Sequence, residues 1–343
     1  MTSFPISTDQ ISIQWLSKVL NCEVSNFHIE PLGEGIGIIG LVTRLTLEGQ
    51  NCPKTLIAKF QSPSADNRAI AHLFKMYERE YQFYSQVLEQ VPVRAPLCYH
   101  ASFDPETKAF ILLLEDLLGY RLGDQVKGCT VTECEQVVNA MVDLHSSTWQ
   151  PDHLNEINYH NTDFQIQGMI DGFTAGWPVV TENFSHLVSR ETALKGSGLS
   201  ENIKPLLEQI MDGPVCIAHG DMRLDNLFFG QDHVALVDFQ ALCKSAPEHD
   251  LAYFLSQSPS QAILDDRDWV AYYHRQLTGK GISYDLQLCR DRFQRCTLYF
   301  LCYAVIICSA LDMANERGRL LGETLLGNAL NSINTLDGFS LLK

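Results

Sequence analysis

Midway along this chain a run of polar residues, His219-Gly220-Asp221-Met222-Arg223-Leu224-Asp225-Asn226, lies between two short apolar segments, Val215 to Ala218 and Val234 to Val237, and Asp238-Phe239-Gln240 closes the second. Short apolar runs bounded by polar residues read as buried strands. The charged and amide side chains between them are therefore held on loops at strand ends, where a rigid scaffold places residues for chemistry. On both sides the spacing becomes helical. Val137, Val138, Met141, Val142 and His145 mark a helix over Val131 to Trp149, and others are expected at Ile203 to Met211, Trp269 to Leu277 and Leu286 to Met313.

The first third of the chain has a different period. Phe27 to Phe60 reads as strand, Gly-rich turn, strand (Leu41 to Leu47), the turn Glu48-Gly49-Gln50-Asn51, then strand (Thr55 to Phe60). Leu73, Met76, Tyr77, Tyr81, Tyr84 and Leu88 then recur at three- and four-residue steps, predicting one main helix that ends near Pro92. Two further strands, Tyr99 to Phe103 and Ala109 to Leu114, are joined by Asp104-Pro105-Glu106-Thr107. The expected fold class is α+β: an antiparallel β lobe with one main helix over residues 1–115, then a larger, mainly helical lobe over residues 116–343. There is no internal repeat and no low-complexity tract.

Asp221 followed by Asn226, with Asp238-Phe239 twelve residues beyond the Asn, resembles the aminoglycoside phosphotransferase and choline kinase superfamily, relatives of the protein kinases. Leu112 to Trp149 and Asp250-Leu251-Ala252-Tyr253-Phe254-Leu255 look most like its ecdysteroid-kinase-like phosphotransferases. The resemblance runs over almost the whole chain and implies a bilobal protein-kinase-like fold that uses ATP and Mg2+. Phosphoryl transfer needs an oriented nucleophile and neutralised phosphate charge more than covalent help. The resemblance makes Asp221 the base that accepts the acceptor hydroxyl's proton, and Asn226 and Asp238 the oxygen ligands of a hard Mg2+. Arg223 stands where protein kinases resembling this loop carry a Lys near the transferred phosphate. His219 reads as a buried histidine bracing the loop, and Asp225 as a loop-capping carboxylate.

Lys59 is a lone charge ending the apolar run Leu56-Ile57-Ala58, where burial needs a paired anion. Glu80 on the first helix is the natural partner, and the kinase resemblance implies that the pair aligns Lys59 on the nucleotide's α- and β-phosphates. Glu78, two residues away, belongs to another helix face and reads as solvated. Gly35 and Gly37, in the Gly-rich turn, are expected to offer backbone amides to phosphate, although a plain hairpin turn would also use glycine. Glu115-Asp116-Leu117 resembles the lobe-connecting hinge, so Glu115 and Leu117 are expected to meet adenine through backbone groups; a simple linker is the alternative.

Two features separate the chain from protein kinases. Gln240 stands where they carry the Gly of D-F-G, and only five residues lie between it and Ala246-Pro247-Glu248, too few for a peptide-docking activation segment. The tripeptide reads as a chance match, and a small-molecule acceptor is favoured. With 25 basic against 41 acidic residues, a net charge of −16 argues against nucleic acid. Leu298 to Leu311 is shorter than the about twenty residues a bilayer span needs. No secretory signal is visible in Met1 to Gln14, and eleven cysteines without tandem C-x-x-C pairs read as reduced core residues, so a cytoplasmic setting is expected. Cys289, Cys296, Cys302 and Cys308 read as packing residues on a helix.

The acceptor lies outside what the residues specify. Trp149, Phe173, Trp177, Phe184, Trp269, Tyr272, Tyr273 and Tyr303 are aromatic candidates for its pocket, and Asp171, Glu182 and Glu248 for meeting a cation, with core and surface roles as the simpler accounts. A sterol-like or secondary-metabolite alcohol and an aminoglycoside or choline-like acceptor both stay open. The intact set Lys59, Asp221, Asn226 and Asp238 weighs against a nucleotide-binding regulator without turnover. Gly220, where protein kinases usually carry Arg, weighs against a serine/threonine kinase. Oligomeric state is not readable.

Overall fold

A computed structural model describes residues 4–32, 39–151 and 154–342. The Gly-rich turn, with Gly35 and Gly37, lies outside the described residues. The chain forms two compact units: Met1–Arg121 with Ala235–Leu242, and Leu122–Val234 with Cys243–Lys343. The segment that carries Asp238 thus returns to the first unit.

The first unit is built on five antiparallel strands, β1 (Glu23–Leu32), β2 (Gly40–Gln50), β3 (Thr55–Gln61), β4 (Cys98–Phe103) and β5 (Phe110–Glu115), in the order β1-β2-β3-β5-β4. In β3, side chains alternate across the sheet. Leu56, Ala58 and Phe60 join Leu45, Leu47, Ile111 and Leu113 in a core that also receives Leu16 of α1 (Ile13–Leu20). Burying each large apolar side chain there contributes about 1.5–3 kcal/mol. Lys59 falls between two of these residues, so the pleat turns it to the other face, in register with Val42 and Leu112.

The single helix expected over 73–88 begins only at Met76 and changes character after Gln82. α2 (Ala65–Leu73) ends before Lys75, whose φ of 55° breaks the helix, and α3 (Met76–Gln82) runs into a π turn at Phe83–Val87. π turns widen a helix locally and recur at functional sites. α1 and α2 were not anticipated. Ser12 and Ser64 cap their N-termini, the signal that precedes each.

The two-residue strand β6 (Arg121–Leu122) leads to a largely helical second unit: α4 (Val131–Ser147), α5 (Asp163–Asn183), α6 (Arg190–Ser197), α7 (Leu199–Met211), α8 (Glu248–Gln257), α9 (Gln261–Leu264), α10 (Trp269–Gly279), α11 (Leu286–Ala310) and α12 (Glu316–Thr335). α4 starts in a capping box of Thr130 and Glu133. The short strands are β7 (Cys216–Ala218), β8 (Leu227–Phe229), β9 (Val234–Leu236) and β10 (Cys243–Ser245), with β10 antiparallel to β7. Side chains added at Gly172 and Gly176 of α5 would collide with Ile306, Val305 and Ser309 of α11, so glycine lets these two helices approach closely. α11 falls within the helix expected over Leu286 to Met313 and by length and composition could cross a membrane, but 61% of its most apolar window is buried inside the protein. Cys289, Cys296, Cys302 and Cys308 are all buried in it.

Candidate active site

In the first unit, the face of β3 that carries Lys59 meets α3. Lys59, 9% exposed, places Nζ 2.6 Å from Glu80 Oε1 and 3.1 Å from Asp238 Oδ1. Burial by itself would lower the lysine's pKa; the charges of Asp238 and Glu80 overcome it and hold the ammonium above the ordinary lysine range. Glu80 is fully buried, and its second oxygen accepts from Gln240 Nε2 at 3.3 Å. Glu78 of the same helix is half-buried.

Asp238 has φ 67° and ψ 64°, left-handed backbone that a non-glycine residue adopts at a cost of order 1–3 kcal/mol. Its neighbours fix that turn. Phe239 is fully buried, stacked on Phe83 and edge-on to Tyr84, both in the π turn, and Arg79 Nη1 donates to Ala241 O at 3.4 Å. One Asp238 oxygen faces Lys59, and the carboxylate is about one-third exposed.

Glu115 and Asp116 spend their side chains internally. Arg94 donates to Glu115 at 2.6 Å, Leu97 N donates to its other oxygen at 3.0 Å, and Arg44 donates to Asp116 at 2.7 Å. Leu117 is buried. The carboxylates of Glu115 and Asp116 are thus already partnered within the protein.

In the second unit, β7 ends at His219-Gly220-Asp221. His219 is fully buried, and its Nδ1 accepts from Asp221 N at 3.3 Å, the bracing role read from the sequence. Gly220 has φ 83°, a conformation that favours glycine. The Asp221 side chain is fixed from both sides: Asn226 Nδ2 donates to Oδ2 at 2.8 Å, and Arg223 Nε stands 3.3 Å from Oδ1. Asn226 Nδ2 also donates to Asp221 O at 2.9 Å. Asp225 caps the loop by accepting from Gln125 N at 3.1 Å.

Residues that sequence reasoning missed hold this loop. Asp250, fully buried in α8, accepts from His219 N at 2.7 Å and Gly220 N at 2.9 Å. His145 Nε2 bonds the same carboxylate at 3.1 Å while its Nδ1 meets Tyr273 Oη at 2.7 Å. Burial would raise the Asp250 pKa, but the His145 hydrogen bond and the charges of His145, His249 and His219 hold it down at about 2. Gln125, also buried, accepts from Leu224 N at 3.0 Å and donates to Gln257 O at 2.8 Å. Tyr253 is buried against Asp221, and its hydroxyl pKa is raised well above the ordinary tyrosine value, first by burial and then by the Asp221 charge. The available sequence signal was a carboxylate, Asp250, opening an apolar run.

One expectation is corrected. Glu248 is fully buried, 3.6 Å from Arg292, and accepts from Tyr284 Oη at 2.8 Å, so it is committed inside the unit and does not await a cationic ligand. Of the aromatic candidates, Phe173, Trp177, Phe184, Trp269 and Tyr273 are core; Trp149, Tyr272 and Tyr303 are half-buried. Asp171 and Glu182 are exposed.

Known structures share this fold at low identity. A candidate aminoglycoside phosphotransferase from Ralstonia eutropha is 14% identical, with 96% of this chain and 97% of that one covered and a TM-score of 0.55. Choline kinase from Cryptosporidium parvum is 12% identical over 93% and 92% of the two chains, TM-score 0.55. The gentamicin complex of APH(2")-IIa is 12% identical over 98% and 99%, TM-score 0.51. The chain thus has the protein-kinase-like fold of these phosphotransferases. No curated protein matches it. The family model for the ecdysteroid kinase-like family matches residues 37–282, and the chain belongs to that family of small-molecule kinases.

Proposed function

We propose that the chain transfers the γ-phosphoryl group of ATP to a hydroxyl of a small molecule, with Asp221 as the base. The observation that carries this reading is the Asp221 carboxylate itself, oriented by Asn226 and Arg223 on a loop clamped by Asp250. Bound Mg-ATP supplies the phosphoryl group and the cation that neutralises its charge. The donor chemistry fits that group: Asn226 Oδ1 and the second Asp238 oxygen are hard ligands of the kind Mg2+ takes. Lys59, held by Glu80, is the ammonium for the nucleotide's phosphates, and the backbone of Glu115 to Leu117 is the adenine contact. Asp221 accepts the acceptor's hydroxyl proton, and Arg223 answers the negative charge on the transferred group.

Family membership favours a steroid-like or other bulky, weakly polar alcohol as acceptor. ADP release from Mg-ATP, measured with steroid alcohols, choline-like amines and aminoglycosides, tests this. Stimulation by steroid alcohols with a phosphorylated product is the expected result. Stimulation only by amines or aminoglycosides would reassign the acceptor class. No stimulation by any of them, with ATP still bound, would favour a nucleotide-binding regulator.

A further inference from the structure

Away from Asp221, three donor side chains meet in the core of the second unit. His160, Cys243 and His249 are all buried, and one ligand atom from each lies within 4.8 Å of the other two. They come from three segments. Cys243 begins β10 and His249 lies in the first turn of α8. His160 belongs to a stretch laid along β10, where His160 N donates to Lys244 O and Lys244 N donates to Asn158 O, both at 2.9 Å.

The outward contacts of the two rings orient them. His160 Nε2 meets Tyr299 Oη at 2.8 Å, and His249 Nδ1 meets Ser245 Oγ at 3.2 Å. A hydroxyl thus engages one nitrogen of each imidazole, the arrangement that fixes ring orientation at metal sites. His160 Nδ1 stands 3.7 Å from Cys243 Sγ. His249 Nε2 is buried with no hydrogen-bond partner among the described residues, a state that calls for an explanation in a packed core. An S–H···N bond accounts for the first contact but leaves the second nitrogen unexplained.

We infer that His160, Cys243 and His249 form a metal site distinct from the Mg2+ ligands, taking a borderline-soft ion of the Zn2+ type. With Zn–S near 2.3 Å and Zn–N at about 2.0–2.1 Å, tetrahedral donors stand about 3.5 Å apart, close to the spacing seen between Cys243 and His160. One thiolate and two imidazoles select such an ion over Mg2+, which takes oxygen ligands. Three protein donors leave one position of a tetrahedron open. The ion would tie the His160 segment and β10 to the start of α8, one residue from Asp250, and so brace the helix that holds the Asp221 loop.

The test strips the full chain with a chelator and titrates it with Co2+ as an optical probe, then Zn2+ as competitor, in excess Mg2+ throughout. One equivalent of Co2+ should bind with thiolate-to-cobalt charge-transfer absorption, Zn2+ should displace it, and Zn2+ should raise the melting temperature. Cys243→Ser should abolish the band while Cys302→Ser keeps it, and Tyr299→Phe should weaken binding roughly 10–100-fold. Absence of the band in folded wild type, or a band that Cys243→Ser leaves intact, overturns the site. If Cys243→Ser fails to fold, His249→Gln decides in its place by the same band.

Discussion

Gln240 donates from Nε2 to Glu80 Oε2 at 3.3 Å, while the other Glu80 oxygen holds Lys59 at 2.6 Å. The residue that departs from the D-F-G pattern is thus a partner of the buried carboxylate. Lys59, Glu80, Asp238 and Gln240 form one polar network in the first unit, in which each side chain limits where the next can point.

Replacing Gln240 with Ala removes one donor from Glu80 and loosens Lys59 without removing its charge. The loss is about 1 kcal/mol, so the KM for ATP should rise about 3–10-fold with kcat little changed. Initial-rate ADP release over a range of ATP concentrations reads this directly. An unchanged KM would mean that the Gln240 contact does not set the position of Lys59.

Asp250 is a positioning residue, argued to act through the Asp221 loop. Asp250→Asn cannot accept from both His219 N and Gly220 N. Stability should fall by about 2–3 kcal/mol and kcat by roughly 100-fold, with affinity for metal-free ATP retained because Lys59 belongs to the other unit. Loss of ATP binding in parallel with kcat would instead indicate general unfolding.

The same carboxylate sets an acid limit. Its pKa is lowered from 3.8 to about 2, so its contribution is fully present above the unfolded value and is lost as pH falls through the folded one. That contribution is about 2 kcal/mol. Melting temperatures from pH 5 to 2 should fall less steeply for Asp250→Asn than for wild type; equal slopes would contradict the assignment.

Arg292 is 1% exposed beside fully buried Glu248 and also donates to Ile210 O and Pro214 O, each at 2.8 Å. Glu248→Gln leaves a buried guanidinium without its counter-charge and should cost about 3–5 kcal/mol in urea unfolding. Glu248→Leu with Arg292→Met should recover only part of this, because two carbonyls lose their donor. A cost under about 1 kcal/mol for Glu248→Gln would remove the buried pair as an anchor.

Strand alternation made the first unit legible: Leu56, Ala58 and Phe60 on one face and Lys59 on the other already separate core from charge. The cost of burying a lone ammonium called for an anion beside Lys59, and the kinase resemblance pointed to Glu80. Several helices were not legible, for different reasons. All ten residues of α8 are buried, so it has no polar face and no amphipathic period. α2 buries only Ala71 and offers little apolar period, while α5 contains Pro178 and several glycines that argue against a long helix. α12 did carry a signal, the Asn315 cap before Leu325, Leu326, Ala329, Leu330 and Ile333 at helical spacing. The clamp on the Asp221 loop was invisible because Asp250 and His145 are far apart in sequence and meet only in the folded core.

The central claim is that Asp221 acts as the base for phosphoryl transfer, and Asp221→Asn tests it most directly. The variant keeps the size of the side chain and removes its capacity to accept a proton. With an acceptor that stimulates wild-type ADP release, kcat should fall at least about 100-fold while ATP affinity and melting temperature stay near wild type. Retention of wild-type kcat by the folded variant would contradict the account.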